Sequence, residues 1–245
     1  MKPLIKAEVR KLLTTRTAYG LLIGMLFLAG PGIFMSGSTG VAELSRPLQD
    51  QVWFFISAGF TRLLVVVLGI RSVTDEYGYG TIVPSLLVSP NRRRLLAAKA
   101  MTVGGAGLVF TLLAEALMVA VAAGLVVARG ADLTITSTTI RALTGMALAG
   151  LLWAVIGVAI GAIVRRQIPA IVGSLLWLMP GGLEATIKDQ LGSDVGAYLP
   201  GNEGMALALA VDPRGLWWGT LVLTGYAAVL MVAGAFLMRR RDVAP

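Results

Sequence analysis

Six apolar runs divide this chain of 245 residues: Ala18 to Met35, Val52 to Ile70, Ala97 to Val127, Ile140 to Val164, Ile168 to Met179 and Leu216 to Met238. A helix that crosses a bilayer needs roughly 20 mostly apolar residues. Four of the runs fit that length directly. The first is interrupted by Gly30-Pro31-Gly32, and the fifth is short and stops at Pro180-Gly181-Gly182. Helices are the default, because an open strand cannot satisfy its backbone groups in lipid. The alternating pattern of an outer-membrane barrel is absent. Charged residues make up only 14% of the chain, against about a quarter in soluble domains. Such sparse charge excludes a water-soluble globule and a disordered chain alike. The expectation is an all-α integral membrane protein of six transmembrane helices, one domain over residues 1–245.

The formal net charge of +8 does not indicate nucleic acid, since the basic residues form short clusters between the apolar runs. Fifteen of the 21 lie in the N-terminal arm, in the second-to-third and fourth-to-fifth connections, and in the tail. Five lie in the alternate connections and one, Arg62, lies within the second run. The positive-inside rule then places both termini in the cytoplasm of a bacterial-type cell membrane. The arm itself is patterned, with Ile5, Val9 and Leu12 on one helical face and Lys2, Lys6 and Arg10 on another. This predicts an interfacial amphipathic elbow over residues 1–17 rather than a cleaved leader. Residues 183–215 form the longest external connection. Leu183, Ile187 and Leu191, then Met205, Ala208 and Leu209, predict two short amphipathic helices at the outer interface.

Cysteine and histidine are both absent. Thiolate and imidazole catalysis and Cys/His metal sites are therefore excluded, and no catalytic residue or metal ligand is expected. The phosphate-cradling Gly-x-x-x-x-Gly-Lys-Ser/Thr loop is missing too. Gly104-Gly105-Ala106-Gly107 lies within a run and reads as helix packing. Gly150, Gly157 and Gly161 share one helical face and Gly20 and Gly24 another, which suits close approach of helices within the chain or, less readily, between two chains.

Residues 71–96 carry the most information. Thr74-Asp75-Glu76-Tyr77-Gly78-Tyr79-Gly80-Thr81 is followed by a short semi-apolar piece, Ile82 to Val88, then Ser89-Pro90 and Arg92-Arg93-Arg94, with Lys99 beyond. A hairpin follows from this, with Ile82, Leu86 and Leu87 turned to lipid or to a protein partner. The arginines alone would also suit a loop that only fixes topology.

The order Glu76, Gly80-Thr81, short helix, Pro90, Arg94, Lys99 resembles the permease subunits of type-2 ABC transporters, especially the small exporters of drugs, peptides and antibiotics. The elbow, the six spans, the external helices and the final Phe236 to Arg241-Asp242 agree with that family. The resemblance implies that Gly80 to Val88 is the coupling helix, docking into a groove on a separate ATPase, with Glu76 and Lys99 flanking it. It also implies a second permease copy, an ATPase dimer that carries ATP and Mg, and no cofactor in this chain. The triple arginine departs from the single Arg usual there. A membrane enzyme or an assembly or sensor protein is the alternative, but aspartyl chemistry would need two carboxylates sharing a site.

Two ionisable residues fall within spans. Arg62 and Glu115 are about 15 and 18 Å from the outer ends of their helices at the helical rise. Intramembrane charges are costly and seek partners, so an Arg62–Glu115 ion pair is expected.

Overall fold

The computed structural model describes residues 1–36, 52–88, 91–128, 137–179, 182–196, 198–209 and 214–240. These form eleven helices: α1 Lys2–Thr14, α2 Arg16–Ser36, α3 Val52–Gly78, α4 Ile82–Val88, α5 Arg92–Ala128, α6 Ser137–Val164, α7 Gln167–Leu178, α8 Leu183–Leu191, α9 Ser193–Gly196, α10 Pro200–Leu209 and α11 Leu216–Arg240. Pro90, Pro180-Gly181 and the tail Arg241-Asp242 lie outside the described residues, as does the side chain of Leu86.

Among the described residues four stretches are long and apolar enough to cross a membrane: Arg92–Val121, Thr139–Val164, Gln167–Leu191 and Leu216–Arg240. Arg16–Phe27 is a shorter apolar helix. The third stretch is not continuous. Met179 turns extended after α7, and α8 begins only at Leu183. A helix of 12 residues rises about 18 Å, little more than half of the roughly 30 Å hydrocarbon core.

Helix α6 lies at the centre and packs against α3, α5, α10 and α11. Its glycines make this possible. A Cβ on Gly157 would collide with the Val66 carbonyl oxygen, one on Gly161 with that of Ile70, and one on Gly150 with the Thr111 hydroxyl. The shared glycine face is thus spent on contacts within the chain. Gly107, from the glycine-rich piece of α5, meets Ala154 and the Gly150 carbonyl of α6 in the same manner. By contrast, a Cβ on Gly20 would meet nothing.

Two apolar clusters result. One gathers Val66, Ile70, Met118, Trp153, Ile156, Leu207 and Leu223. The other gathers Met25, Val65, Leu68, Leu96, Ala154 and Val158.

The connection between α7 and α11 departs from the expected pair of surface helices. Helix α8 matches the first stripe. The second helix starts at Pro200 rather than Met205, and Gly201, Glu203, Gly204, Leu207, Ala208 and Leu209 are all buried in it. Its sequence is apolar almost all round, which is the pattern of a buried helix rather than an interfacial one.

Candidate functional site

The hairpin between α3 and α5 is shaped by one left-handed residue. Gly80 has φ +68°, a conformation that costs a residue with a side chain and costs glycine nothing. The Tyr79 amide closes the end of α3 on the Asp75 carbonyl, at 2.9 Å. On the far side Asn91 caps α5, its Oδ1 accepting from the Arg94 amide at 3.2 Å.

Helix α4 is two-faced. Ile82 points inward and is buried, which corrects the expectation that it meets a partner. With Ser85 it forms the inner face. Tyr79, Val83 and Leu87 are exposed, at 77%, 45% and 78%. Val83 and Leu87 are four apart on α4 and form its outward stripe, and Tyr79 stands exposed in the turn before it. Thr81 and Arg94 are exposed as well. Arg93 is likewise exposed, whereas Arg92 donates to the Met238 carbonyl at the end of α11.

Glu76 and Lys99, expected only to flank the short helix, form an ion pair, with Lys99 Nζ 2.8 Å from Glu76 Oε1. Two residues of the elbow complete the cluster. Lys99 donates to Glu8 Oε2 at 2.8 Å and to the Ser72 carbonyl at 3.0 Å. Lys11 donates to Glu76 at 2.6 Å, to Glu8 at 3.0 Å and to the Ser85 hydroxyl at 3.3 Å. Burial lowers the Lys11 pKa, but hydrogen bonds to Glu76 and Glu8 outweigh this and hold it above the usual lysine value.

Two carboxylates and two ammonium groups therefore neutralise one another beneath α1, with Glu8, Glu76 and Lys99 all buried. A cavity of about 310 Å³ adjoins them, walled also by Thr14, Arg71, Asp75 and Thr81. Glu8 and Lys11 escaped the sequence reading. Their spacing of three on one helix face was the available signal.

Arg62 and Glu115 do not pair. Arg62 donates to the Leu178 carbonyl at 2.7 Å and the Gly201 carbonyl at 2.6 Å, and its guanidinium lies 5.7 Å from the centre of the Trp153 ring. Leu178 ends α7, so the arginine satisfies a carbonyl that has no partner within its own helix. Glu115 is buried, and its Oε1 has no hydrogen-bond partner. Equal depth fixed only the height of the two residues. The direction around each helix axis decided the outcome, and backbone carbonyls stood nearer to Arg62.

Glu184 completes this second cluster. Its carboxylate accepts from the Gly201 amide at 3.0 Å and the Asn202 amide at 2.6 Å, capping the start of α10. Lys188 donates to Asn202 Oδ1 at 3.1 Å.

A membrane-embedded helical chain, a short helix projecting at its basic end and an ionic clasp that holds this helix define a membrane subunit of a transport machine. The chain belongs to the family described as ABC-2 family transporter protein, which it matches over residues 4–181. It is accordingly a membrane permease subunit of an ABC-2 type transporter. None of the curated proteins matches this chain.

Proposed function

We propose that this chain is the translocating subunit of an ATP-driven exporter and that α4 is its coupling helix. The carrying observation is the exposed pair Val83 and Leu87 on α4, with Tyr79 exposed in the turn before it. They stand beside a short helix face whose opposite side is fixed by Ile82 and by the Lys11–Ser85 hydrogen bond. An apolar ridge held rigidly at a basic membrane face suits insertion into a groove on a protein partner. That partner is a dimer of ABC ATPase subunits, which carries ATP and Mg.

The chain crosses the membrane six times with both termini cytoplasmic. Support comes from the 21 and 27 residues of α2 and α3, added to the four stretches already described. Two permease copies, identical or related, enclose the path between them, and closure of the ATPases exposes it to alternate sides. The cargo is a drug, antibiotic, peptide or lipid-like compound.

The test is co-purification of the ATPase with the full-length chain. Val83→Asp and Leu87→Asp, singly and together, should release the ATPase while leaving membrane insertion unchanged. Undiminished recovery of the ATPase with the double variant would remove α4 from the contact.

A further inference from the structure

A second cavity, sharing no lining residue with the first, lies between α6, α7 and α11. It holds about 340 Å³ and its lining is almost wholly apolar. The floor is a stripe of α6: Trp153, Ile156, Ile160 and Val164. Pro169 and Gly173 of α7 and Tyr226 of α11 line its sides and are exposed, so the groove opens sideways from the bundle. Ser174 also borders it, but its hydroxyl is spent on the Ala170 carbonyl at 2.8 Å.

Length and charge identify the occupant. From Trp153 to Val164 the α6 stripe extends about 16 Å at the helical rise. That equals the depth of one leaflet, half of a core about 30 Å thick. At the Val164 end the chain turns from α6 into α7 through Arg165 and Arg166 alone. Arg165 has φ +60°, donates to the Leu237 carbonyl at 3.1 Å and lies over Tyr77. Arg166 is exposed. Helix α7 then starts with no side-chain cap, which leaves its first amides without a side-chain acceptor and puts the positive end of its dipole at this turn. The other end of the groove is closed by Leu178 and Pro200.

We propose that this groove binds an anionic phospholipid: one acyl chain lies along the α6 stripe, and the phosphate meets Arg166 and the amides of Gln167 and Ile168. An apolar trough one leaflet deep with a cationic mouth matches that molecule from end to end. A second copy of the chain would fill the trough but would have to supply an anion at Arg166. Assignment to the cytoplasmic leaflet rests on the orientation proposed above. Binding itself does not, so the following test is blind to that reading.

Full-length protein, stripped of lipid in detergent, is titrated with phosphatidylglycerol and with phosphatidylcholine of the same acyl chains. Retained lipid is counted by native mass spectrometry. The wild type should hold one phosphatidylglycerol per protomer in preference to phosphatidylcholine. Arg166→Gln should reduce that preference roughly fivefold, the effect of one basic group at a membrane surface. Gly173→Phe should exclude both lipids, because a Cβ there meets open space and the ring would occupy the trough. Val172→Phe, at an exposed position of α7 that does not line the groove, serves as the control and should retain the lipid. Equal retention of the two lipids by the wild type, or undiminished retention by Gly173→Phe, overturns the proposal. So does a Gly173→Phe variant that shifts the monomer–dimer ratio at constant lipid, for that would make the groove a contact between copies. Should Gly173→Phe fail to fold, the exposed Arg166→Gln decides alone, and an unchanged preference rejects the site.

Discussion

Lys99 Nζ lies 2.8 Å from Glu76 Oε1, so one ion pair clasps the two arms of the hairpin that carries α4. Glu8 joins the clasp from α1 at the same distance. Helix α1, the end of α3 and the start of α5 are therefore tied together at one point.

Removing Lys99 should be the most damaging single change in the clasp. Lys99→Met leaves Glu8 and Glu76 buried beside an apolar side chain, and breaking a buried pair costs about 3–5 kcal/mol. Lys11→Met should cost less, because the Lys11 side chain is 48% exposed and exposed pairs contribute about 0–1 kcal/mol. Thermal unfolding of the purified variants in one detergent provides the comparison. Equal losses would mean that burial does not set the hierarchy.

Arg62 and Glu115 should behave as independent residues. Arg62→Leu strands the carbonyls of Leu178 and Gly201, at about 1–3 kcal/mol for each buried group left unsatisfied. Glu115→Leu removes an acid with an unpartnered oxygen and should be neutral or stabilising. In the double variant the two effects should add to within about 0.5 kcal/mol. A rescue of Arg62→Leu by Glu115→Leu would restore the ion pair that the geometry denies.

The glycine face of α6 offers a third test. Gly157→Val drives a side chain against the Val66 carbonyl and should destabilise by at least the 1–3 kcal/mol typical of overpacking. Gly20→Ala meets no atom and should stay within about 1 kcal/mol of wild type. Melting curves of the two variants decide the matter. Tolerance of Gly157→Val would show that α3 and α6 do not meet as described.

Topology can be read directly. Single-cysteine labels at Lys2, Arg93 and Arg240 should react from one side of sealed vesicles, and a label at Leu191 from the other. The chain has no native cysteine, so no background needs removal. Labelling of Leu191 from the same side as Lys2 would rule out the six-span arrangement.

Much of the architecture was legible in the residues. Apolar runs set the long helices, Pro180-Gly181-Gly182 marked the break after α7, and Glu76 and Lys99 were placed on either side of the short helix. The glycine spacing of α6 pointed to packing within the chain, and packing within the chain is what it serves. The partners of Arg62 were not legible, because a backbone carbonyl is an acceptor that every residue carries and no side chain advertises. Nor was the burial of α10, since its apolar run from Met205 to Leu209 gives no periodicity to orient it. On α4 the sequence pointed to Ile82, Leu86 and Leu87; Leu87 is exposed, whereas the burial of Ile82 and the exposure of Val83 emerge only once the helix phase is known.

The early end of α7 has an electrical consequence. The end of a helix carries about half a negative charge, and the start of α10 carries about half a positive one. Arg62 stands at the first and Glu184 at the second. Two side chains of opposite sign and two helix ends of opposite sign cancel. The junction is thus close to neutral while α3, α7, α8 and α10 stay together. Any motion that draws α3 away would take Arg62 from the end of α7 and leave the buried Glu184 carboxylate uncompensated, which opposes opening at this point.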